Sequence, residues 1–259
     1  MESIPVASEF SPEDLTEDGF LDGRLRILQP RTGYRAAMDP VLLAAAVPAT
    51  AGQTVLELGC GAGVASLCLG HRVAGLRLFG LELQADYAAL ARQNAVANGI
   101  VLDVHVGDLA AVPKALRAVE FDHVIANPPY FADGSGTAAE NPGREIAQRE
   151  ATPLSEWVAT ALRRLKPGGW LTLIQSADRL PDLFVCLAQG VGNTTLLPIA
   201  PRQGRAAGRI ILRCRKGGRG PFTLAAPFIL HDGTRHLRDG DDQSAAARAV
   251  LRDGAALAF

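Results

Sequence analysis

Short apolar runs alternate with amphipathic segments along this chain. The runs fall at residues 54–58, 76–83, 101–106, 121–126 and 170–174, and apolar positions at helical spacing separate them, as in residues 85–99 and 154–165. Strand and helix in alternation predict a Rossmann-like, doubly wound α/β domain with a mostly parallel sheet. Further runs at residues 194–197 and 209–215 predict an antiparallel end to that sheet.

The two ends of the chain are expected to add smaller elements. Residues 1–14 are polar and acidic and predict a flexible tail, while residues 15–48 predict a hairpin followed by a helix. The hairpin would turn on two residues, Asp22 and Gly23. Asp39 is interpreted equally well as the helix N-cap, with Pro40 in the first turn, or as a cofactor ligand. The core domain would span residues 49–231, with a last strand at 222–230, and a C-terminal extension over 232–259 would contain a helix at 241–251.

Composition excludes several classes of protein. The 259 residues are 48% hydrophobic, which allows a sizeable core, and the net charge of -1 excludes a uniformly basic nucleic-acid binder. The four cysteines and five histidines lack metal-ligand spacing, so we expect reduced thiols, no metal and a cytoplasmic location. The first five residues do not resemble a signal peptide, and no apolar run is long enough to cross a membrane.

A glycine-rich turn follows the first strand of the core domain. It has the pattern Glu57-x-Gly59-x-Gly61-x-Gly63 and leads into a helix. Glycines let the backbone approach a ligand, and the helix N-terminus offers free N–H groups, so the turn predicts a nucleoside or phosphate cradle. Val64 stands where a dinucleotide fingerprint needs glycine or alanine, and no Lys-Ser/Thr pair indicates a P-loop.

Two acidic residues at the ends of the next strands support a nucleoside ligand. Glu82 lies about 20 residues beyond the glycines, where a carboxylate can accept hydrogen bonds from both ribose hydroxyls. An ordinary solvated carboxylate is the alternative. Asp108 lies where an adenine amine would be bound, or it caps a helix over residues 109–116. Asn94 could also reach the ligand, although an amide on the helix face is the simpler interpretation.

The tetrapeptide Asn127-Pro128-Pro129-Tyr130 follows the strand at residues 121–126. Neither proline donates a backbone hydrogen bond and each fixes φ, so we expect a rigid turn with free carbonyl groups. Asn127 adds an amide, and Tyr130 adds a flat face for stacking. A rigid acceptor cluster beside an aromatic ring suits a planar amine, whereas a simple surface turn is the alternative.

Taken together, these motifs resemble the class I S-adenosylmethionine-dependent methyltransferases that act on amino groups. The resemblance covers residues 30–215 and implies that the cofactor is held by Glu57, Gly59, Cys60, Gly61, Gly63, Glu82, Leu83, Asp108, Leu109 and Asn127. It also implies that the Asn127 side chain and the Pro128 carbonyl accept the two protons of the amine, and that Tyr130 stacks on the base.

Within that superfamily the chain resembles the bacterial tRNA adenine-N6 methyltransferases that act beside the anticodon of valine tRNA. The lead-in at residues 32–40, a loop over residues 131–148 expected to cover the substrate, Arg149-Glu150 and the basic segment ending at Arg219 carry this resemblance. Ribosomal RNA methyltransferases acting on guanine N2, and enzymes that methylate glutamine N5 of release factors, remain alternatives. A non-catalytic RNA-binding scaffold is the alternative from another class.

Cations accumulate towards the end of the core domain. Residues 183–231 contain no Asp or Glu, so the cations there would form an uncompensated surface suited to RNA phosphates. Alternatively, some of them line one face of a strand. The residues expected to bind RNA, most simply tRNA, are Arg202, Arg205, Arg209, Arg213, Arg215, Lys216 and Arg219.

Overall fold

The computed structural model describes residues 10–130, 152–187, 190–233, 242–257 and 259. The strands in this part of the chain are β1 Leu15–Phe20, β2 Leu25–Pro30, β3 Thr54–Leu58, β4 Arg77–Glu82, β5 Leu102–Val106, β6 Phe121–Ala126, β7 Leu165–Ser176, β8 Val191–Arg202, β9 Arg209–Lys216, β10 Thr223–Leu224 and β11 Phe228–His231. The helices are α1 Met38–Ala46, α2 Val64–Arg72, α3 Ala85–Ala97, α4 Lys114–Arg117, α5 Leu154–Arg164, α6 Leu180–Cys186 and α7 Ala245–Leu251.

Strands β3 to β11 form one nine-stranded sheet in the order β10-β8-β9-β7-β6-β3-β4-β5, with β11 also paired to β8. Strands β3 to β7 are parallel, and β9 is antiparallel to both β7 and β8. The predicted doubly wound, mostly parallel sheet with an antiparallel end is therefore confirmed. The strand order reverses between β3 and β6, which opens a crevice at their carboxyl ends.

The two faces of the sheet are covered by different helices. Side chains from β1–β2, α1, α2, α3 and α7 pack with one face, and those of α4, α5 and α6 pack with the other. Successive strand residues alternate between the two clusters, as Val55 and Leu56 do in β3. The N-terminal hairpin and the C-terminal helix thus share a core with the central sheet.

The N-terminal segment differs from the prediction in two ways. The hairpin turns through four residues, 21–24, because Leu21 is only 2% exposed and the loop carries it into the core. Leu21 and Asp22 both have positive φ. Part of the predicted tail packs against the domain. Phe10 lies edge-on to Tyr87 with ring centroids 5.4 Å apart, and residues 12–14 form a short 3-10 helix. Residues 1–9 lie outside the described part of the chain.

Three other predicted elements have different bounds. Helix α1 begins at Met38 with Ala37 as its N-cap, so the prediction that Asp39 caps it is wrong. Strand β7 begins at Leu165 and accommodates residues 166–169 as an irregularity in its pairing with β6. The predicted strand at residues 222–230 is divided into β10 and β11, because Pro227 between them has no N–H for the ladder.

Candidate active site

A cavity of about 440 Å³ lies at the carboxyl ends of β3, β4 and β6. It brings together residues that are far apart in the sequence, and the segment before α1 closes one side of it. The predicted site residues that line it are Glu57, Gly59, Cys60, Gly61, Glu82, Leu83, Asp108, Leu109, Asn127, Pro128, Tyr130 and Arg209. Gly63 is absent from this lining, and its contact with the ligand stays a prediction. A Cβ there would meet Ala91 and Leu102 at 3.3 Å, which gives Gly63 a packing role.

The glycine turn forms the floor of the cavity. Gly59 has a φ of +65°, and a Cβ at this position would lie 2.6 Å from the Trp157 ring. Gly61 also has a positive φ, and its N–H donates to Glu82 over 2.8 Å. The backbone therefore requires glycine at position 59 for two reasons, its conformation and the indole above it.

Glu57 is buried directly beneath this turn. One carboxylate oxygen accepts hydrogen bonds from the Ser66 N–H over 2.9 Å and from its hydroxyl over 2.5 Å. Burial raises the pKa of Glu57 to about 8, although the two bonds from Ser66 oppose the shift. Glu57 thus ties β3 to α2 and also lines the cavity.

Glu82 is 6% exposed and therefore differs from the solvated carboxylate considered as an alternative. Its two oxygens accept one backbone N–H each, from Gly61 over 2.8 Å and from Gln84 over 2.9 Å. Burial raises the pKa of Glu82, and these bonds oppose that shift. Each oxygen retains acceptor capacity, which suits a pair of ribose hydroxyls. Leu83 beside it is 52% exposed and presents an apolar surface.

Asp108 acts as a cap. Its carboxylate accepts the N–H of Ala110 over 2.8 Å at the start of a short 3-10 helix, Leu109–Ala111. The capping interpretation is confirmed, although the helix predicted over residues 109–116 is interrupted at Pro113 before α4. Binding of an adenine amine by Asp108 stays a prediction. Leu109 is buried, and its carbonyl accepts a hydrogen bond from Thr160.

Asn127 has one engaged and one unengaged side-chain atom. Its Nδ2 donates to the Tyr34 hydroxyl over 3.4 Å, whereas its Oδ1 is buried without a partner among the described residues. The expected free carbonyls of the turn are not observed, because Gln175 Nε2 donates to Pro128 over 3.4 Å and to Pro129 over 3.1 Å. A carbonyl oxygen has two lone pairs, so Pro128 can still accept one more hydrogen bond.

Tyr130 is part of a polar cluster with Asp39 and Arg209. Its hydroxyl donates to Asp39, and the Nε of Arg209 lies 3.1 Å from the same carboxylate oxygen. The Arg209 guanidinium also lies 4.8 Å from the centroid of the Tyr130 ring. Burial and the Asp39 carboxylate together raise the pKa of Tyr130, so the phenol stays protonated. All three residues line the cavity.

The predicted basic surface is only partly as expected. Arg202 forms an ion pair with Asp242, and Arg209 forms one with Asp39, so the expectation of uncompensated charge is wrong at both positions. Arg213 donates to the carbonyls of Ala46 and Phe259. The Arg215 and Lys216 side chains donate to the carbonyls of Gly168 and Leu165. Arg205 and Arg219 are exposed.

The direction of β9 divides these cations between two ends of the sheet. Arg209 pairs with Ser176 at the end that carries the cavity, and Arg215 pairs with Trp170 near the opposite end. The six residue-to-residue steps from Arg209 to Arg215 span about 20 Å along a strand. Arg202 and Arg205 lie at the cavity end, whereas Lys216 and Arg219 lie at the far end. Alternation along the strand also places Arg209, Arg213 and Arg215 on one face, as the alternative interpretation expected.

Several cavity residues were not assigned a role from the sequence. Tyr34 lies in the lead-in segment and Trp157 in α5, and both line the cavity. Gln175 in β7 was also not assigned a role, and it supports the turn from outside the cavity lining through the Pro128 and Pro129 carbonyls. Their only sequence signals were an aromatic side chain or a strand end, which are common features. Asn94 is fully buried on α3 and bonds Leu28 and Ala62, which agrees with the simpler interpretation of an amide on the helix face. The expected substrate loop and Arg149-Glu150 lie outside the described residues.

The cavity has the features of a nucleoside cofactor site beside an amine acceptor site, on a class I methyltransferase fold. The sequence profile of the family named "Methyltransferase small domain" matches residues 38–198. This chain belongs to that family and is an S-adenosylmethionine-dependent methyltransferase. No group of three or more His, Cys, Asp or Glu side chains in the described part is arranged to hold a metal, and no helix there could span a membrane.

Relatives with similar sequences have names that state a substrate. A tRNA1(Val) (adenine(37)-N6)-methyltransferase of Porphyromonas gingivalis is 34% identical over 84% of this chain and 89% of its own length. One from Aeromonas hydrophila, with the same name, is 28% identical over 77% of this chain and 84% of its own length.

Two solved structures extend the comparison. One described as a predicted O-methyltransferase of Agrobacterium tumefaciens has a TM-score of 0.69 at 25% identity, over 86% of this chain and 99% of that chain. A 16S rRNA guanine-N2 methyltransferase of T. thermophilus has a TM-score of 0.53 at 21% identity, over 83% of this chain and 53% of that chain. The second likeness shows the fold alone.

Proposed function

We propose that this protein transfers a methyl group from S-adenosylmethionine to the exocyclic N6 amine of an adenine beside the anticodon of a tRNA. The observation that carries the proposal is that Oδ1 of Asn127, buried in the cavity wall next to the Pro128 carbonyl, has no partner among the residues that the structure describes. An unpaired buried acceptor is costly unless a ligand supplies a donor. The names of the relatives support adenine in tRNA as the source of that donor.

The cavity residues fit the cofactor. Glu82 would accept hydrogen bonds from the ribose hydroxyls, since both of its oxygens are fixed and retain acceptor capacity. Leu83 and Leu109 would flank the cofactor's adenine, and Asp108 would accept from its amine. Gly59, Cys60 and Gly61 would allow the methionine portion to approach the backbone. When bound, S-adenosylmethionine supplies an electrophilic methyl group on its sulfonium.

On the acceptor side, the chain positions a weak nucleophile. The adenine amine is weakly nucleophilic because its lone pair is delocalised into the ring. Asn127 Oδ1 and the Pro128 carbonyl would accept its two protons and favour a tetrahedral nitrogen whose lone pair points at the methyl group. Tyr130 would stack on the base. Holding the reacting atoms in line is worth up to about 7–11 kcal/mol in well-oriented systems, so no strong general base is required.

The cations would position the tRNA. Arg202, Arg205 and Arg209 lie at the cavity end of the sheet, where they can contact phosphates next to the inserted base. Arg215, Lys216 and Arg219 lie about 20 Å further along, which suits a second contact on the same large substrate. Arg213 is engaged by two carbonyls and contributes to RNA binding only through its charge. A tRNA substrate places this activity in the cytoplasm.

The proposal is tested by incubating the protein with labelled S-adenosylmethionine and separate fractions of tRNA and rRNA, followed by mass identification of the modified nucleoside. We expect N6-methyladenosine in tRNA, with a loss of at least about 100-fold in Asn127→Ala. Asn98→Ala removes the same side chain from outside the cavity and should retain activity. N2-methylguanosine in rRNA, or no transfer to either RNA, would contradict the proposal. A parallel incubation with release factor tests the remaining alternative, and label transferred only to that protein would likewise contradict the proposal.

A further inference from the structure

Tyr34 lies between the glycine turn, which forms the floor of the cavity, and the acceptor turn that carries Asn127. The hydroxyl of Tyr87, on α3, accepts from the N–H of Tyr34 over 2.9 Å and donates to its carbonyl over 3.0 Å. The Tyr34 ring lies 3.8 Å from the point where a Cβ on Gly61 would stand. In the residues that follow, Arg35 forms an ion pair with Asp18, and the Ala36 N–H donates to the Gln29 side chain. The position of the Tyr34 phenol is therefore determined by contacts outside the acceptor turn.

Among the described residues, the Tyr34 hydroxyl has one hydrogen-bond partner, Asn127. The Asn127 Nδ2 donates to it over 3.4 Å, and Oδ1 is left without a partner in the described part of the chain. An amide is asymmetric, so a half-turn about its last torsion would exchange the two atoms. Nδ2 would then face the substrate amine, and two donors would oppose each other. The reaction needs a group that selects one of these two orientations.

The Tyr34 hydroxyl can donate or accept a hydrogen bond. The direction of its O–H bond therefore decides which atom of the Asn127 amide faces it. Burial, with the carboxylates of Asp39 and Glu57 adding to it, raises the pKa of Tyr34, so the phenol stays neutral. The negative charge of Asp39 also favours a hydroxyl dipole whose proton points towards that carboxylate. That orientation leaves a lone pair of Tyr34 for Nδ2 of Asn127, which is the arrangement observed.

We propose that Tyr34 is a positioning residue that fixes the orientation of the Asn127 amide and so presents Oδ1 to the acceptor amine. The inference rests on the proposed role of Asn127 in binding that amine. It adds a residue from the lead-in segment, whose ring lies against the glycine turn, to the machinery of methyl transfer. Tyr34 acts through Asn127 and needs no contact with the reacting atoms.

The kinetic test compares Tyr34→Phe in two backgrounds. In the wild type, loss of the hydroxyl should lower kcat about 10-fold while the KM for cofactor and the melting temperature stay unchanged, because the ring is retained. In Asn127→Asp the two carboxylate oxygens are equivalent, so Tyr34→Phe should change kcat less than 2-fold. Single-turnover labelling over hours measures slow variants. Equal effects in the two backgrounds would overturn the inference.

A second measurement does not depend on activity. The side-chain amide resonance of Asn127, identified by its absence in Asn127→Asp, should shift in the ¹H–¹⁵N spectrum of Tyr34→Phe. An unmoved resonance would overturn the inference even if the protein methylates tRNA as proposed. Conversely, a shifted resonance in a protein that transfers no methyl group to RNA would contradict the proposed function and leave the Tyr34–Asn127 coupling established.

Discussion

The guanidinium of Arg209 lies over the ring of Tyr130, 4.8 Å from its centroid. The same arginine binds Asp39 over 3.1 Å, and Asp39 accepts the Tyr130 hydroxyl, so the three side chains hold one another in place. One face of Tyr130 is therefore covered by a cation. Arg209 determines which face of the ring is available for a stacked base, a role that neither sequence interpretation, RNA binding or one face of a strand, assigned to it.

Replacement of Arg209 should weaken binding of the acceptor more than binding of the cofactor. We expect Arg209→Ala to raise the KM for tRNA about 10-fold, because Tyr130 loses its stacking partner and Asp39 loses its ion pair. Arg209→Lys should recover only part of this loss, since an ammonium group keeps the charge but not the planar contact. Steady-state kinetics and cofactor titration measure the two affinities.

The matched control for this variant is Arg215→Ala. Arg215 makes a similar contact with Trp170, 5.8 Å from the ring centroid, at the other end of β9. Arg215→Ala should change the KM for tRNA less than Arg209→Ala does. A larger effect at Arg215, or a loss of cofactor affinity in Arg209→Ala, would contradict the role given to the cluster.

The division of the cations predicts unequal effects of charge reversal. Arg205→Glu, at the cavity end, should weaken tRNA binding more than Arg219→Glu at the far end. It should also make the negative slope of log K against log salt less steep, by about one or more, because fewer phosphates are neutralised. Both side chains are exposed, so the variants are expected to fold normally. Filter binding over a salt series measures the slopes. Equal affinities for the two variants and the wild type would remove these residues from the RNA surface.

Gly59 should be intolerant of any side chain. Gly59→Ala combines the strain of a positive φ, about 1–2 kcal/mol, with a Cβ placed 2.6 Å from the Trp157 ring. We expect cofactor affinity to fall at least 10-fold, as measured by calorimetric titration. Gly52→Ala is the control, because Gly52 has a φ of +86° but no atom within 4 Å of the added Cβ. It should cost a similar backbone strain and leave cofactor affinity unchanged.

Relief of the clash provides a second check on Gly59. Adding Trp157→Leu to Gly59→Ala removes the atoms that the new Cβ would meet, so part of the cofactor affinity should return. If Gly59→Ala bound cofactor as well as the wild type, the glycine turn would not be the floor of the cofactor site.

Burial of Glu57 should make folding stability depend on pH. The folded carboxyl has a pKa of about 8, raised from an ordinary value of 4.5, so the folded state holds a proton that the unfolded state releases between these values. The contribution of Glu57 to stability is therefore lost as the pH rises through this range. Glu57→Gln cannot ionise and keeps the shape of the side chain.

The free energy of unfolding of Glu57→Gln, taken relative to that of the wild type, should rise by on the order of 2 kcal/mol between pH 5.5 and pH 8. Urea unfolding of both proteins at the two pH values measures this difference, in which the other titrating groups cancel. A relative stability that is the same at both pH values, or that falls, would contradict the buried, proton-binding state of Glu57.

The sequence by itself determined the fold class and the parts of the site that are continuous in the chain. The glycine turn after β3 and the tetrapeptide after β6 are local structures, because strand, turn and helix signals depend on neighbouring residues. Their meeting at one crevice follows from the parallel order of the strands. Sequence patterns did not determine the length of the hairpin loop, where burial of Leu21 prevailed over the turn preference of Asp22 and Gly23.

Only the tertiary structure decided which distant side chains complete the site. Asp39 meets Tyr130 across 91 residues and Arg209 across 170, and no local pattern encodes such pairs. The antiparallel direction of β9 likewise separated cations that are adjacent in sequence, because a strand carries its residues about 3.3 Å apart along the sheet. Long-range pairing fixes these relationships, since it depends on how separate elements pack and not on the residues within any one of them.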